Sequence, residues 1–270
     1  MKKLQHCFIA PTAYLHLIPQ NSKVHLLLAH LMEDRAYCDF YKRRKEEGDY
    51  IIVDNGAFEF KRPLDADEIF RLVGGAGFQP DVIVAPDYPF EPWSKTVTET
   101  DSFARRYHNY FDASVKLMAV PQSKPGDWHG WIECYEHLTK IPHVNWIGMS
   151  ILGIPNAFQS ATGTKDISFN RTFATQYLKN NGIIESRIKH HYLGCGDPRE
   201  ILMMKAQGVA DTNDSSTAFW HAINGIGYDD SVGGLRDGKS PIEVDFNLPY
   251  NETHVPLIKE NVEWINGLIK

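Results

Sequence analysis

Ile188-Lys189-His190-His191-Tyr192-Leu193, then Gly194-Cys195-Gly196-Asp197-Pro198, Arg199 to Ala206, and Gly208-Val209-Ala210-Asp211-Thr212 spell strand, turn, helix and strand in one short span. The first run, bounded by Ile188 and Leu193 and carrying Tyr192, reads as a short strand, and Gly194 closes it. Pro198 suits the first turn of a helix, and Gly208 suits its end. A strand, a helix of about ten residues and a second strand make a parallel pair joined by a crossover.

Outward from that span the same unit recurs. Strands are expected at His6 to Ala10, Tyr50 to Val53, Asp81 to Ala85, Val115 to Val120 and Val144 to Gly148. Between them, helical periodicity covers Lys23 to Arg44, Leu64 to Val73, Thr96 to Phe111, Trp128 to Thr139 and Phe169 to Leu178. Past Thr217 a further helix begins, and residues 225–240 are polar and glycine-rich. Pro241 to Phe246 is the candidate eighth strand, and Val255 to Leu268 a terminal amphipathic helix. Seven units with a candidate eighth in 270 residues predict an α/β fold, a single-domain (β/α)8 TIM-type barrel, over an open doubly wound sheet.

Lys+Arg 28 against Asp+Glu 34 leaves a net charge of -6, which excludes a chain that is basic throughout and coats nucleic acid. Local basic patches remain, at Lys42-Arg43-Arg44-Lys45 and Arg105-Arg106; either also reads as solvated helix surface. Cys7, Cys38, Cys134 and Cys195 are widely spaced with no Cys-x-x-Cys, so no metal site is expected from local spacing and each reads as an isolated thiol. Gly74-Gly75-Ala76-Gly77 follows a helix rather than a strand and does not read as a phosphate loop. No apolar run is long enough for a signal peptide or a bilayer span, so the expectation is a cytoplasmic protein with no membrane partner.

Parallel barrels carry their active sites at the carboxyl ends of the strands. Here those ends run into Asp54-Asn55-Gly56, Asp87, Gln122, Ser150, Gly194 to Gly196, and Asp211 to Asp214. The opposite ends, Lys140-Ile141-Pro142 and Asn180-Asn181-Gly182, read as turns. Acids at three strand ends, with an amide and a hydroxyl beside them, point to an enzyme or a tight small-molecule binder. A lone strand-end Asp is also a common turn former, and Ser215 to Thr217 fit a helix N-cap. Asp211 and Asp214 together exceed what a cap needs. Paired carboxylates suit displacement at an acetal-like carbon, one attacking while the other, protonated, feeds the leaving group. Phe58 and Tyr88 are placed either to sandwich a flat ring or to pack. Gln122 offers a donor and an acceptor on one side chain, as a nucleobase edge requires.

In chain order these segments resemble the tRNA-guanine transglycosylases. Val53-Asp54-Asn55-Gly56-Ala57-Phe58-Glu59 is similar to their Asp-Ser-Gly-Gly-Phe-Gln segment, and His191-Tyr192-Leu193-Gly194-Cys195-Gly196-Asp197-Pro198 to their Arg-Tyr-Leu-Met-Gly-Val-Gly-x-Pro segment. Gly208-Val209-Ala210-Asp211-Thr212-Asn213-Asp214-Ser215 resembles their nucleophile segment. Ala119-Val120-Pro121-Gln122 and Trp146-Ile147-Gly148-Met149-Ser150 stand where the family reads the base. The resemblance spans about Tyr50 to Thr217. It implies that Asp214 attacks the sugar C1′ and that Asp54 is the general acid and base. It further implies that Phe58 stacks on the base, and that Asp87, Gln122 and the backbone of Gly148, Met149 and Ser150 hold the base edge. Asp211 becomes a supporting acid on the substrate side. No cofactor is implied.

The chain departs from the family in reading Ala57 and Met149-Ser150 at glycine-rich positions, Asn213 before the nucleophile, and no Cys/His zinc cluster. A compact, zinc-free member resembles the phage and bacterial enzymes that exchange guanine for a 7-deazaguanine of the preQ0 type in DNA. The expected partners are therefore DNA and a 7-deazaguanine base, in a host cytoplasm if the chain is phage-encoded. The alternatives are the same exchange on tRNA, an N-glycosidic hydrolase, and a barrel that binds a nucleobase without turnover.

Overall fold

The structure, a computed structural model, describes residues 3–60, 62–229 and 244–270. Its strands are β1 (Gln5–Phe8), β2 (Val24–Leu27), β3 (Tyr50–Val53), β4 (Val82–Val84), β5 (Lys116–Ala119), β6 (Val144–Gly148), β7 (Lys189–Tyr192) and β8 (Thr212–Ser215). Every ladder between them is parallel, in the order β1-β8-β7-β6-β5-β4-β3-β2. β2 and β1, the two ends of that order, pack side by side, so the sheet is a nearly closed barrel. The fold is a (β/α)8 TIM-type barrel.

Helices α1 (Arg35–Glu46), α2 (Ala57–Phe60), α3 (Ala66–Gly75), α4 (Trp93–Arg106), α5 (Trp128–Leu138), α6 (Gly153–Thr162), α7 (Ile167–Asn180), α8 (Pro198–Gln207), α9 (Thr217–Ile223) and α10 (Val255–Ile269) connect and cover the strands. Ile51 to Val53 and Val82 to Val84 are completely buried, as a parallel strand with a helix layer outside and a packed interior requires. Many acids do structural work at helix starts. Asp34, Asp65, Asp127, Asp166 and Asp197 each accept backbone N–H groups at an N-terminus, and Asp65 with Glu68 forms a full capping box. That sorts the acids: these five are committed to helix starts, whereas Asp54 and Asp87 cap none of these helices.

Four expectations need correction. Lys23 to Arg44 is not one helix: it opens with β2, passes through a 3-10 turn at Ala29–Leu31 and becomes helical only at Arg35. Leu26 and Leu27 are buried between the layers, and an apolar run buried on both sides reads alike as strand or helix. The eighth strand is therefore β2; in the candidate at Pro241 to Phe246, residues 241–243 lie outside the described residues, and residues 244–246 are not strand. The last strand is Thr212–Ser215 rather than Val209 to Thr212, because register with β1 pairs Gln5 with Thr212 and Cys7 with Asp214. Finally, Gly153–Thr162 is a helix with no counterpart in the sequence reading.

Candidate active site

The carboxyl ends of the strands open into a cavity of about 630 Å³. Asp54, Phe58, Asp87, Gln122, Ser150 and Asp214 all line it. They come from five different strand ends, which only barrel closure brings together.

Asp214 sits inside β8 and is 4% exposed. Its Oδ1 accepts from the Gly194 N–H at 3.0 Å and lies 2.9 Å from Nε2 of His191. Both of these hydrogen bonds fall on one oxygen, which leaves Oδ2 for a ligand. His191 is completely buried, and its Nδ1 lies 2.6 Å from the Thr212 hydroxyl. Behind this wall, Arg171 ties the ends of β6 and β7 together. Its guanidinium forms a two-pronged ion pair with Glu200 and donates to the carbonyls of Met149 at 3.1 Å and Leu193 at 2.6 Å. The Gly194 N–H that holds Asp214 directly follows that clamped Leu193 carbonyl.

Asp54 leaves β3 with its own N–H donated to the Leu27 carbonyl, and its Oδ2 accepts from the Gly56 N–H at 3.0 Å. Gly56 has φ 75°, a left-handed turn suited to glycine. Burial pushes the Asp54 carboxyl up to about 6; the Asp214 charge adds to this, and the Gly56 and Asn55 N–H groups oppose it. Asp54 therefore carries a proton in a fraction of molecules near neutrality, as an acid that also acts as a base needs.

Asp87 is held between two amides. Asn55 Nδ2 donates to one oxygen at 2.6 Å and Gln122 Nε2 to the other at 2.6 Å. Asn55 is itself fixed, donating to the Ala85 carbonyl and accepting from the Ala57 N–H. Burial pushes Asp87 up to about 7 against those two amides, with the Asp54 charge reinforcing it. Gln122 is completely buried, and its Oε1 has no hydrogen-bond partner among the described residues. A Cβ on Gly153 would stand 2.3 Å from that oxygen, so the start of α6 approaches the amide as only glycine allows. A buried, unanswered acceptor beside a carboxyl that is neutral in part of the population suits a planar ligand rich in N–H donors.

Ser150 Oγ accepts from the N–H groups of Leu152 and Gly153 and fixes the turn into α6. Phe58, 51% exposed, stands at the mouth. Residues 244–247 also line the cavity: the Phe246 carbonyl accepts from Thr12, and its ring meets His30 and Trp220 edge-on.

Other expected residues lie elsewhere. Asp211 precedes β8 at the opposite end of the barrel, where its carboxylate accepts from the His190 N–H at 2.9 Å. Its role is to seat the start of the strand; the early placement of β8 had carried it toward the rim. Gly148 and Met149 are absent from the lining. A Cβ at Gly148 would meet Leu193 and Val120 side chains within 3 Å, and the Met149 carbonyl is taken by Arg171. Tyr88 packs beneath Lys95, with its N–H on Thr96, and does not line the cavity opposite Phe58. Asn213, where the sequence parts from the resemblance, also stands outside the lining, its Nδ2 reaching the Cys195 carbonyl at 3.4 Å. Ser215 accepts the Thr217 N–H at the start of α9, close to the expected cap. The sequence reading passed over His191 and Asn55 as site residues; the signal for His191 was a histidine pair in a strand that must be buried.

No family model matches the chain, and no curated protein sequence matches it.

Proposed function

We propose that the cavity exchanges a purine-type base at C1′ of a nucleic-acid sugar, replacing guanine with a 7-deazaguanine in DNA. One observation carries this reading. Asp214, gripped on one oxygen by His191 and Gly194, lines the same cavity as Asp54, whose carboxyl is raised to about 6. Oδ2 of Asp214 forms a bond to C1′ as the C1′–N9 bond breaks. The electron pair goes to N9, and Asp54 supplies the proton. The incoming base gives its N9 proton to the Asp54 carboxylate and displaces Asp214, so two inversions retain configuration.

Asp87 and Gln122 support a base as the ligand, because together they offer a carboxyl group and an unpaired carbonyl acceptor to N–H donors. Phe58 at the mouth supplies a stacking face. The choice of DNA over tRNA follows the resemblance: the tRNA enzymes pair this barrel with a Cys/His zinc subdomain, and these 270 residues contain no such cluster. A net charge of -6 assigns polymer contact to local basic groups and makes binding salt-sensitive.

The test supplies radiolabelled guanine or preQ0 with single- and double-stranded DNA and, separately, tRNA. Label entering DNA and not tRNA supports the reading. Label entering tRNA alone replaces the polymer, and free base released without exchange makes the protein a hydrolase. Base binding without either outcome leaves a binding barrel.

A further inference from the structure

We infer that His191 is a positioning residue that aims Asp214 and holds it as a neutral-ring partner through the attack; this rests on the reading that Asp214 attacks the sugar. Three groups are stacked in the interior: Thr212 Oγ1 lies 2.6 Å from His191 Nδ1, and His191 Nε2 lies 2.9 Å from Asp214 Oδ1. All three residues are at most 4% exposed. Water therefore does not compete for these contacts, and the protons must be arranged by the side chains themselves.

For a neutral ring, the donor inventory selects one arrangement. The Thr212 hydroxyl donates to Nδ1, so the ring of a neutral His191 carries its proton on Nε2 and donates it to Asp214 Oδ1. With the proton on Nδ1 instead, a lone pair on Nε2 would face the carboxylate. A doubly protonated ring would hold the negative charge on Asp214 and blunt its attack. The Nε2–H tautomer avoids both: it fixes the rotation of the carboxylate, with Gly194 N–H as the second support, and turns Oδ2 toward the cavity.

The same contacts serve the next state. When Oδ2 bonds to C1′ and the C1′–N9 electrons leave with the base, Oδ1 becomes the carbonyl oxygen of the ester. It keeps both donors, so no reorganisation is needed during the step. The neighbouring His6, lowered to about 4 by burial, brings no positive charge of its own to Asp214 near neutrality.

The test is single-turnover exchange on labelled DNA, following both the covalent protein–DNA adduct and the incorporation of free base. His191→Leu is expected to slow adduct formation about 10- to 100-fold, while KM for the free base stays within about twofold. Glutamine places an amide nitrogen near Nε2, and asparagine places one near Nδ1. His191→Gln therefore recovers most of the rate, and His191→Asn does not. Thr212→Val, which frees the tautomer, costs a few-fold. Equal rates for wild type and His191→Leu overturn the inference while leaving the reading intact; if His191→Leu does not fold, equal rates for the Gln and Asn variants overturn it. No adduct in wild type, or an adduct that survives Asp214→Asn, overturns the reading and the inference with it.

Discussion

β3 and β4 read Tyr-Ile-Ile-Val and Val-Ile-Val, whereas β7 and β8 read Lys-His-His-Tyr and Thr-Asn-Asp-Ser. Both pairs are parallel strands in the same barrel, and β8 is as thoroughly buried as β4. The buried side chains of the apolar pair need no polar partners, and the pair delivers its acids just beyond the strands, at Asp54 and Asp87. The polar pair answers most of its buried groups individually, with Asn213 Oδ1 left unpartnered among the described residues. Thr212 meets His191, Asp214 meets His191 and Gly194, and Ser215 meets Thr217. One wall is therefore tolerant and supplies stability; the other is exacting and supplies a carboxylate fixed in orientation. The polar wall is where local propensity and global fold conflict, and such conflicts gather at functional sites.

The sharpest way to break this contrast is Asp214→Asn. The amide keeps the size and still accepts from His191 and Gly194, so the polar wall should stand while the proposed nucleophile is gone. Exchange should fall at least about 10⁴-fold, with a thermal midpoint close to that of wild type. A variant that unfolds instead would show that the charge of Asp214 holds the wall together, and that its orientation is incidental.

The apolar wall has its own electrostatic signature. Asp87 is raised to about 7, against about 3.9 in an unfolded chain. Between those values the folded state binds a proton that the unfolded state has released, so stability falls as pH rises from about 4 to about 7 and levels off above. The full span is about 4 kcal/mol at most. In Asp87→Asn this contribution should be lost while that of Asp54, raised to about 6, remains; Gln122 can turn its unpaired Oε1 toward the new amide, which limits the cost of the change. Urea unfolding of both proteins at pH 5 and pH 8 checks this. A stability difference between them that does not vary with pH would remove Asp87 as a buried, proton-retaining group.

Legibility in the sequence followed the same divide. The alternation of apolar runs with helical periodicity was enough for the barrel, and Tyr50–Val53 and Val144–Gly148 stand where the pattern put them. β2 was hidden because Val24 to Leu31 is apolar nearly throughout, and total burial erases the period that separates strand from helix. β8 was placed three residues early because Val209-Ala210 looks like strand and Thr212–Ser215 does not. That shift moved Asp211 to the rim in expectation and leaves it at the barrel's other end in fact. Asp54, Asp87, Gln122 and Ser150 were legible as strand-end residues. His191 was not, because its role depends on Thr212 and Asp214 lying beside it across a ladder that no spacing in the sequence states.

The polar wall should also differ from an apolar site outside both pairs, Gly148 at the end of β6, in how it accepts an added methyl group. A Cβ at Gly196 would stand 2.5 Å from Ser215 Oγ and from Thr217 Oγ1, atoms locked to each other at 2.8 Å. One at Gly148 would meet Leu193 Cδ1 at 2.8 Å and Val120 Cγ2 at 2.9 Å, the ends of apolar side chains with room to re-seat. Gly196→Ala is expected to cost about 1–3 kcal/mol and to lower exchange by displacing the end of β8. Gly148→Ala should stay at the low end of that range with exchange nearly unchanged. Equal losses of activity would mean that the polar wall is no more exacting than the apolar surroundings of Gly148.

The smallest effect tests the tolerant wall directly. Ile83 is completely buried in β4, in register with Val53 on one side and Leu117 on the other, and it does not line the cavity. Ile83→Val removes one methylene from a packed layer and leaves no polar group unanswered. Its cost should be about 0.5–1.5 kcal/mol, read as a fall of a few degrees in the thermal midpoint. Because the acids of this wall are carried by the loops after β3 and β4, and those loops are held by Asn55 on Ala85 and Asp87, exchange should remain within about twofold of wild type. A larger loss of activity at unchanged fold would mean that Asp54 and Asp87 are aimed by the packing beneath them. The apolar wall would then be a positioning device in its own right, and the contrast with β7 and β8 would be one of chemistry alone.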